Sequence, residues 1–164
     1  MAALSRTRNL PSPGYFSSNH VLVNRERVLK GVKPLKRCIR LDELARIHAE
    51  SMAANEQVIP SVPTVQHLQE KLQSKRVGEN TLRGDSIRGI HMEMMKNEQQ
   101  RACRGNVLAP GFTMFGMGTA MGKDGKLYLV QLFCGNELDW YGWWITPSHI
   151  MKWSNEHLIE EYKE

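Results

Sequence analysis

Leu127-Tyr128-Leu129-Val130-Gln131-Leu132-Phe133-Cys134 is a nearly continuous apolar run with one amide, Gln131, near its middle. Strands that face water on one side alternate apolar and polar residues, whereas a strand apolar on both faces needs cover on both. Before it, Gly122-Lys123-Asp124-Gly125 is a turn signal, and Phe112 to Met121 supplies the other arm of a hairpin. Gly116 and Gly118 fall on the same face of that arm, where two missing side chains let a helix or another backbone come close. The hairpin therefore predicts a central strand sandwiched between helices. The expected fold is α+β, a three-layer α-β-α sandwich with a mainly antiparallel central sheet.

The helices that would cover it come first in the chain. Val21, Leu22, Arg25, Val28 and Leu29 share one helical side, with Gly31 and Pro34 as stop signals. Leu41, Leu44, Ala45, His48, Ala49, Met52 and Ala53 recur at three- and four-residue steps, the pattern of a core-facing helix. His48 reads as a packed, hydrogen-bonded histidine of that helix. Val65, Leu68 and Leu72 mark a short helix. Asp85 or Ser86 caps another that carries Ile87, Ile90, His91, Met94 and Met95 on one face. The polar stretch Lys96 to Gln100 then leads to Arg104 and Asn106.

Between two of these helices stands Val77-Gly78-Glu79-Asn80. Gly78 relaxes the backbone and Asn80 can bond its own main chain, which places Glu79 at a turn. A carboxylate at such a turn is either a site residue or a tie that holds a loop through backbone N–H groups.

Length and charge bound the function. The 164 residues, 41% hydrophobic and 24% charged, suit one globular domain with tails. The net charge of +5 is concentrated: residues 1–40 hold nine Lys/Arg against one acid, residues 41–134 eleven against ten, and residues 135–164 two against six. The basic excess belongs to the N-terminal segment and forms no stripe with aromatics, which argues against nucleic acid as a partner. No run approaches the roughly 18 apolar residues of a membrane span. The division expected is a basic disordered tail over 1–18, a domain over 19–135 and a tryptophan-rich extension with a helix over 136–164. Trp140, Trp143 and Trp144 lie in that extension, which either packs on the core or serves as an interaction surface.

Cys38, Cys103 and Cys134 are odd in number and lack Cys-x-x-Cys spacing, so neither a disulfide framework nor a zinc finger is expected, although one bridge stays open. P-loop, dinucleotide and nucleophile-elbow motifs are absent. Arg104, beside Cys103, would lower that thiol's pKa if it stood close.

The motifs in their order resemble the CAP superfamily of cysteine-rich secretory, sperm-coating and plant pathogenesis-related proteins, in a simple bacterial-like form. They are Asn24-x-x-Arg27, Gly31-x-x-Pro34-Leu35, Leu41-x-x-x-Ala45-x-x-x-Ala49, Gly78-Glu79-Asn80, Cys103-Arg104-Gly105-Asn106-Val107-Leu108, Gly116-x-Gly118 and Tyr128-x-x-Gln131-x-Phe133. The resemblance covers about residues 20–135 and implies an α-β-α sandwich with a central cleft. Family members often hold two histidines and two acids there, a group able to bind a divalent metal. Here Glu79 keeps its position, Cys103 stands where a histidine opens its motif, and His67 and Glu93 lie near the other two.

The cleft implied by the resemblance is lined by His67, Glu79, Asn80, His91 and Cys103, with Arg104, Asn106 and Gln131 as structural motif residues. The function expected is a non-catalytic domain that binds a small apolar or lipid ligand, or a protein, through that cleft. The alternatives are a metal-assisted hydrolase using Glu79 with His67 or His91, and an intracellular interaction module using the tryptophan-rich tail. Zinc is the cofactor to test, with His67, Glu79 and Cys103 as its candidate ligands. The family is usually extracellular, but the start of this chain shows no apolar signal core, so compartment stays open between an intracellular protein and a truncated N-terminus.

Overall fold

The computed structural model describes residues 18–135. Its elements are α1 (Ser18–Leu29), β1 (Lys36–Arg37), α2 (Ile39–Asn55), α3 (Val65–Leu72), β2 (Val77–Gly84), α4 (Ile87–Lys96), a 3-10 turn (Glu98–Gln100), α5 (Arg101–Leu108), β3 (Met114–Met121) and β4 (Leu127–Cys134). The basic tail and the tryptophan-rich extension lie outside the described residues.

The strands form one sheet in the order β1-β3-β4-β2, with β4 inside it as its apolar run requires. β4 pairs antiparallel with β3 on one side and β2 on the other; the two-residue β1 adds a parallel pair, so the sheet is mixed. Helices α2 and α3 pack on one face over Leu41, Met52, Leu72, Tyr128, Val130 and Leu132. Helices α1, α4 and α5 cover the other face over Val23, Ile90, Met94, Val107, Leu129 and Phe133. The result is an α-β-α sandwich.

Gly116 and Gly118 do what their spacing predicts. A Cβ on Gly116 would overlap the backbone of Leu41 and Asp42, and one on Gly118 the backbone of Ala45 and Arg46. Helix α2 thus lies directly on β3. The helix ends follow local chemistry as well. Thr64 caps α3 by accepting from the His67 N–H at 3.2 Å, and Ser86 caps α4 by accepting from Gly89 at 2.9 Å. Gly31 closes α1 with φ 72°, a left-handed conformation suited to glycine.

The side of α1 read from Val21, Leu22, Arg25, Val28 and Leu29 is not its core face: Arg25, Val28 and Leu29 are exposed. The helix instead buries Asn19, His20, Val23, Asn24 and Arg27, whose polar side chains find hydrogen-bond partners inside. Two further expectations fail. Glu79 is not at a turn but inside β2, where Glu79 pairs with Leu132 and Asn80 with Gln131. A glycine weakens an isolated strand, yet here Gly78 is required, since a Cβ would come within 2.9 Å of Asn106 Oδ1 and of the Phe112 ring. Tertiary contact overrides the local signal. The second failure is α5, read only as a polar lead into Arg104 and Asn106. Gln100 gives that helix no side-chain cap and Gly105 sits within it.

Candidate functional site

The alternation of β2 decides which candidates can meet. Gly78, Asn80 and Leu82 turn toward α1, α4 and α5, while Glu79 turns to the side of α2 and α3.

On the α2–α3 side, the Glu79 carboxylate accepts from the Ser61 N–H at 2.9 Å and from the Ser61 hydroxyl. His48 Nε2 donates to the Ile59 carbonyl at 2.6 Å, so His48 is the packed, hydrogen-bonded residue its position predicts. Together these two residues hold the segment between α2 and α3. The segment turns Val58 and Ile59 outward, each 40% exposed, and Val65 at the start of α3 is 66% exposed. Of the two roles read for Glu79, the loop tie is the one its contacts describe. His67 lies on α3, exposed, with Nδ1 2.6 Å from the Thr64 hydroxyl.

On the opposite side, Asn80 is the hub of a buried amide network. Its Nδ2 donates to Gln131 Oε1 at 2.9 Å and to the Cys103 carbonyl at 3.0 Å. Its Oδ1 accepts from Asn106 Nδ2 at 2.8 Å, and Gln131 Nε2 reaches Asn19 Oδ1 at 3.2 Å. These amides join α1, β4, β2 and α5, and in a low-dielectric interior each depends on its partners. Asn80 therefore bonds side chains and a distant carbonyl rather than its own main chain. His91 is buried on α4 with Nε2 3.3 Å from Glu26 Oε1, and burial lowers its pKa against the opposing pull of Glu26.

The cleft predicted from His67, Glu79, Asn80, His91 and Cys103 is thus divided by the sheet. Asn80 and Cys103 meet, and Asn106 and Gln131 join them; Glu79 and His67 lie on the other face. His67, Glu79 and Cys103 do not fit a zinc site, because ligands must converge on one point. Among the described residues no group of three or more His, Cys, Asp or Glu could hold a metal ion. Cys38, Cys103 and Cys134 form no disulfide with one another. Burial raises the pKa of the Cys103 thiol, and Arg104 bonds the Met95 carbonyl and Glu98 instead. Burial pushes Cys38 up to about 11.

Sequence reasoning missed Asp42 and named Arg27 only as a motif residue, yet both are buried charges with several hydrogen bonds. Asp42, buried in the first turn of α2, accepts from Arg37 Nε at 2.5 Å, His20 Nε2 at 3.0 Å and the Met117 N–H at 2.8 Å. Arg27, fully buried, donates to the carbonyls of Lys33, Val107 and Ala109 at 2.8 Å and of Phe112 at 3.2 Å. Desolvation lowers its pKa to about 10, which leaves it charged at neutral pH. Asn24 exchanges two bonds with the backbone of Leu35, at 3.0 and 2.7 Å. The motif Asn24-x-x-Arg27 is therefore an architectural clamp. Asn19 and His20 are buried on the same side of α1 and only Val23 among them is apolar, so no apolar stripe marked the clamp in the sequence.

This layered sheet, with its same-face glycines and its amide hub, defines a family fold. The model of the cysteine-rich secretory protein family (CAP) matches residues 21–133, and the chain belongs to that family. Solved structures agree in fold. A cysteine-rich secretory protein from Staphylococcus aureus subsp. aureus Mu50 superposes with a TM-score of 0.54 at 22% identity, over 73% of this chain and 38% of that one. An outer surface protein from Borrelia burgdorferi gives 0.58 at 12% identity, over 70% and 86%. An extracellular protein containing a SCP domain from Bacillus anthracis str. Ames gives 0.55 at 20%, over 70% and 38%. The match thus spans well under half of the staphylococcal and anthrax proteins. No curated protein sequence matches the chain. Among the described residues no helix is long and apolar enough to cross a membrane.

Proposed function

We propose that this CAP-family chain is a non-catalytic binding domain that recognises an apolar stretch of a protein partner over the segment joining α2 to α3. The observation that carries the reading is the double tie beneath that segment. Glu79 holds Ser61 and His48 holds Ile59, while Val58, Ile59 and Val65 face outward. Apolar side chains fixed in place before binding lose little freedom on contact, which favours an interaction surface. The surface is open rather than enclosed, which suits a protein better than a small apolar ligand.

A metal-assisted hydrolase is less well supported. Both Glu79 carboxylate oxygens are engaged by Ser61, and His91 lies across the sheet. The test is to identify proteins recovered with the wild type but lost with Val65→Asp, then to titrate each against purified protein. Binding weakened at least about tenfold by Val65→Asp, and weakened also by Glu79→Gln, supports the proposal. Binding indifferent to both variants refutes it.

A further inference from the structure

The two edges of the sheet are treated differently. Beyond β1, the outer edge of β3 is sealed: the Cys38 N–H bonds the Phe115 carbonyl at 2.9 Å and Asp42 takes the Met117 N–H. At the other edge, among the described residues, β2 pairs only with β4. Among the described residues no second backbone or side-chain group bonds the main chain of residues 77–84. An eight-residue edge of this kind is a template for another strand.

Such an edge is commonly blunted by lysine, proline or a bulge, none of which β2 carries. β2 instead carries one acid and one base, Glu79 and Arg83, on the same face and equidistant from Thr81. Arg83 is exposed, and Glu79 and Thr81 are half-buried. If two copies pair antiparallel about a two-fold axis at Thr81, each Glu79 falls opposite Arg83 of the other copy; the carboxylate bonded to Ser61 keeps its charge and further lone pairs for that guanidinium. Gly78 then falls opposite Gly84. Moving the axis to Leu82 sets Glu79 against Asp85, a repulsion, and moving it to Asn80 leaves Arg83 against Val77. One register is self-complementary in charge, and a two-fold contact uses each pair twice.

We propose that β2 is a self-pairing edge, through which two copies of this chain join antiparallel about Thr81 into one continuous sheet. The contact is small, so the dimer is a weak one that forms and dissociates with concentration. Sedimentation equilibrium of the full chain should show a monomer–dimer equilibrium. Raised salt should weaken it, and Arg83→Glu, which sets acid against acid, should weaken it by about tenfold or more. Mild oxidation of Thr81→Cys should give a covalent dimer, because residue 81 faces itself across the axis. Asp85→Cys, which faces Val77, should give no more dimer than the wild type with its native thiols. A full chain that stays monomeric at every concentration overturns the proposal. So does a dimer that is indifferent to Arg83→Glu and is not trapped by Thr81→Cys.

Discussion

Arg27 Nη1 donates to the carbonyl of Val107 at 2.8 Å, although 80 positions separate the two in the chain. The same guanidinium also holds Lys33, Ala109 and Phe112, so the first helix ties down the exit of α5. Carbonyls at a helix C-terminus carry partial negative charge, which favours a cation there even without a carboxylate. Replacing Arg27 leaves several buried acceptors without donors. Arg27→Lys keeps the charge but concentrates its donors at one point, so it cannot span them. Either Arg27→Lys or Arg27→Met should cost about 3 kcal/mol or more, read from urea unfolding.

Glycines in this chain are not equivalent. Gly118→Ala would drive a methyl group into the backbone of α2, where no side chain can rotate away. The expected loss is about 3 kcal/mol, seen as a lower melting temperature with the helix content retained.

Gly105 is the opposite case. It lies inside α5, and a Cβ there meets nothing within 4 Å. Gly105→Ala should stabilise the protein by about 0.5–1 kcal/mol in the same melting experiment, through the lower entropy of the unfolded chain and better helix propensity.

His91 should make stability depend on acid. Burial lowers its pKa from the ordinary 6.5, with the Glu26 carboxylate opposing the shift. A base depressed in this way binds more protons unfolded than folded, so its contribution is intact above about pH 6.5 and is lost as pH falls toward the folded value. The urea midpoint of the wild type should therefore fall more steeply than that of His91→Gln between neutral pH and about pH 5. Parallel curves for the two proteins would rule this out.

Much of the fold is legible where the determinants are close in sequence. The apolar steps from Leu41 to Ala53, the turn at Gly122 to Gly125 and the run from Leu127 to Cys134 each carry their own period. Gly116 and Gly118 even announce the close approach of a helix, though not which one. The site is less legible because its partners are distant. Glu79 looks like a turn residue when only Gly78 and Asn80 are considered; Asn106 and Phe112, which explain Gly78, lie far along the chain. Strand alternation then separates Glu79 from Asn80, so neighbours in sequence serve opposite faces. Asp42 shows the same limit, since its donors include His20 and Met117, 22 and 75 positions away.

The bare glycines of β3 also have a mechanical meaning. Where side chains interlock, a layer can loosen by one rotamer at a time. Along the seam between α2 and Gly116 and Gly118, main chain rests on main chain and no such small step exists. The seam either holds or parts as a whole. The segment that Glu79 and His48 pin beside α2 is therefore anchored against a floor that does not shift. The domain thus carries its outward apolar side chains on a stiff keel.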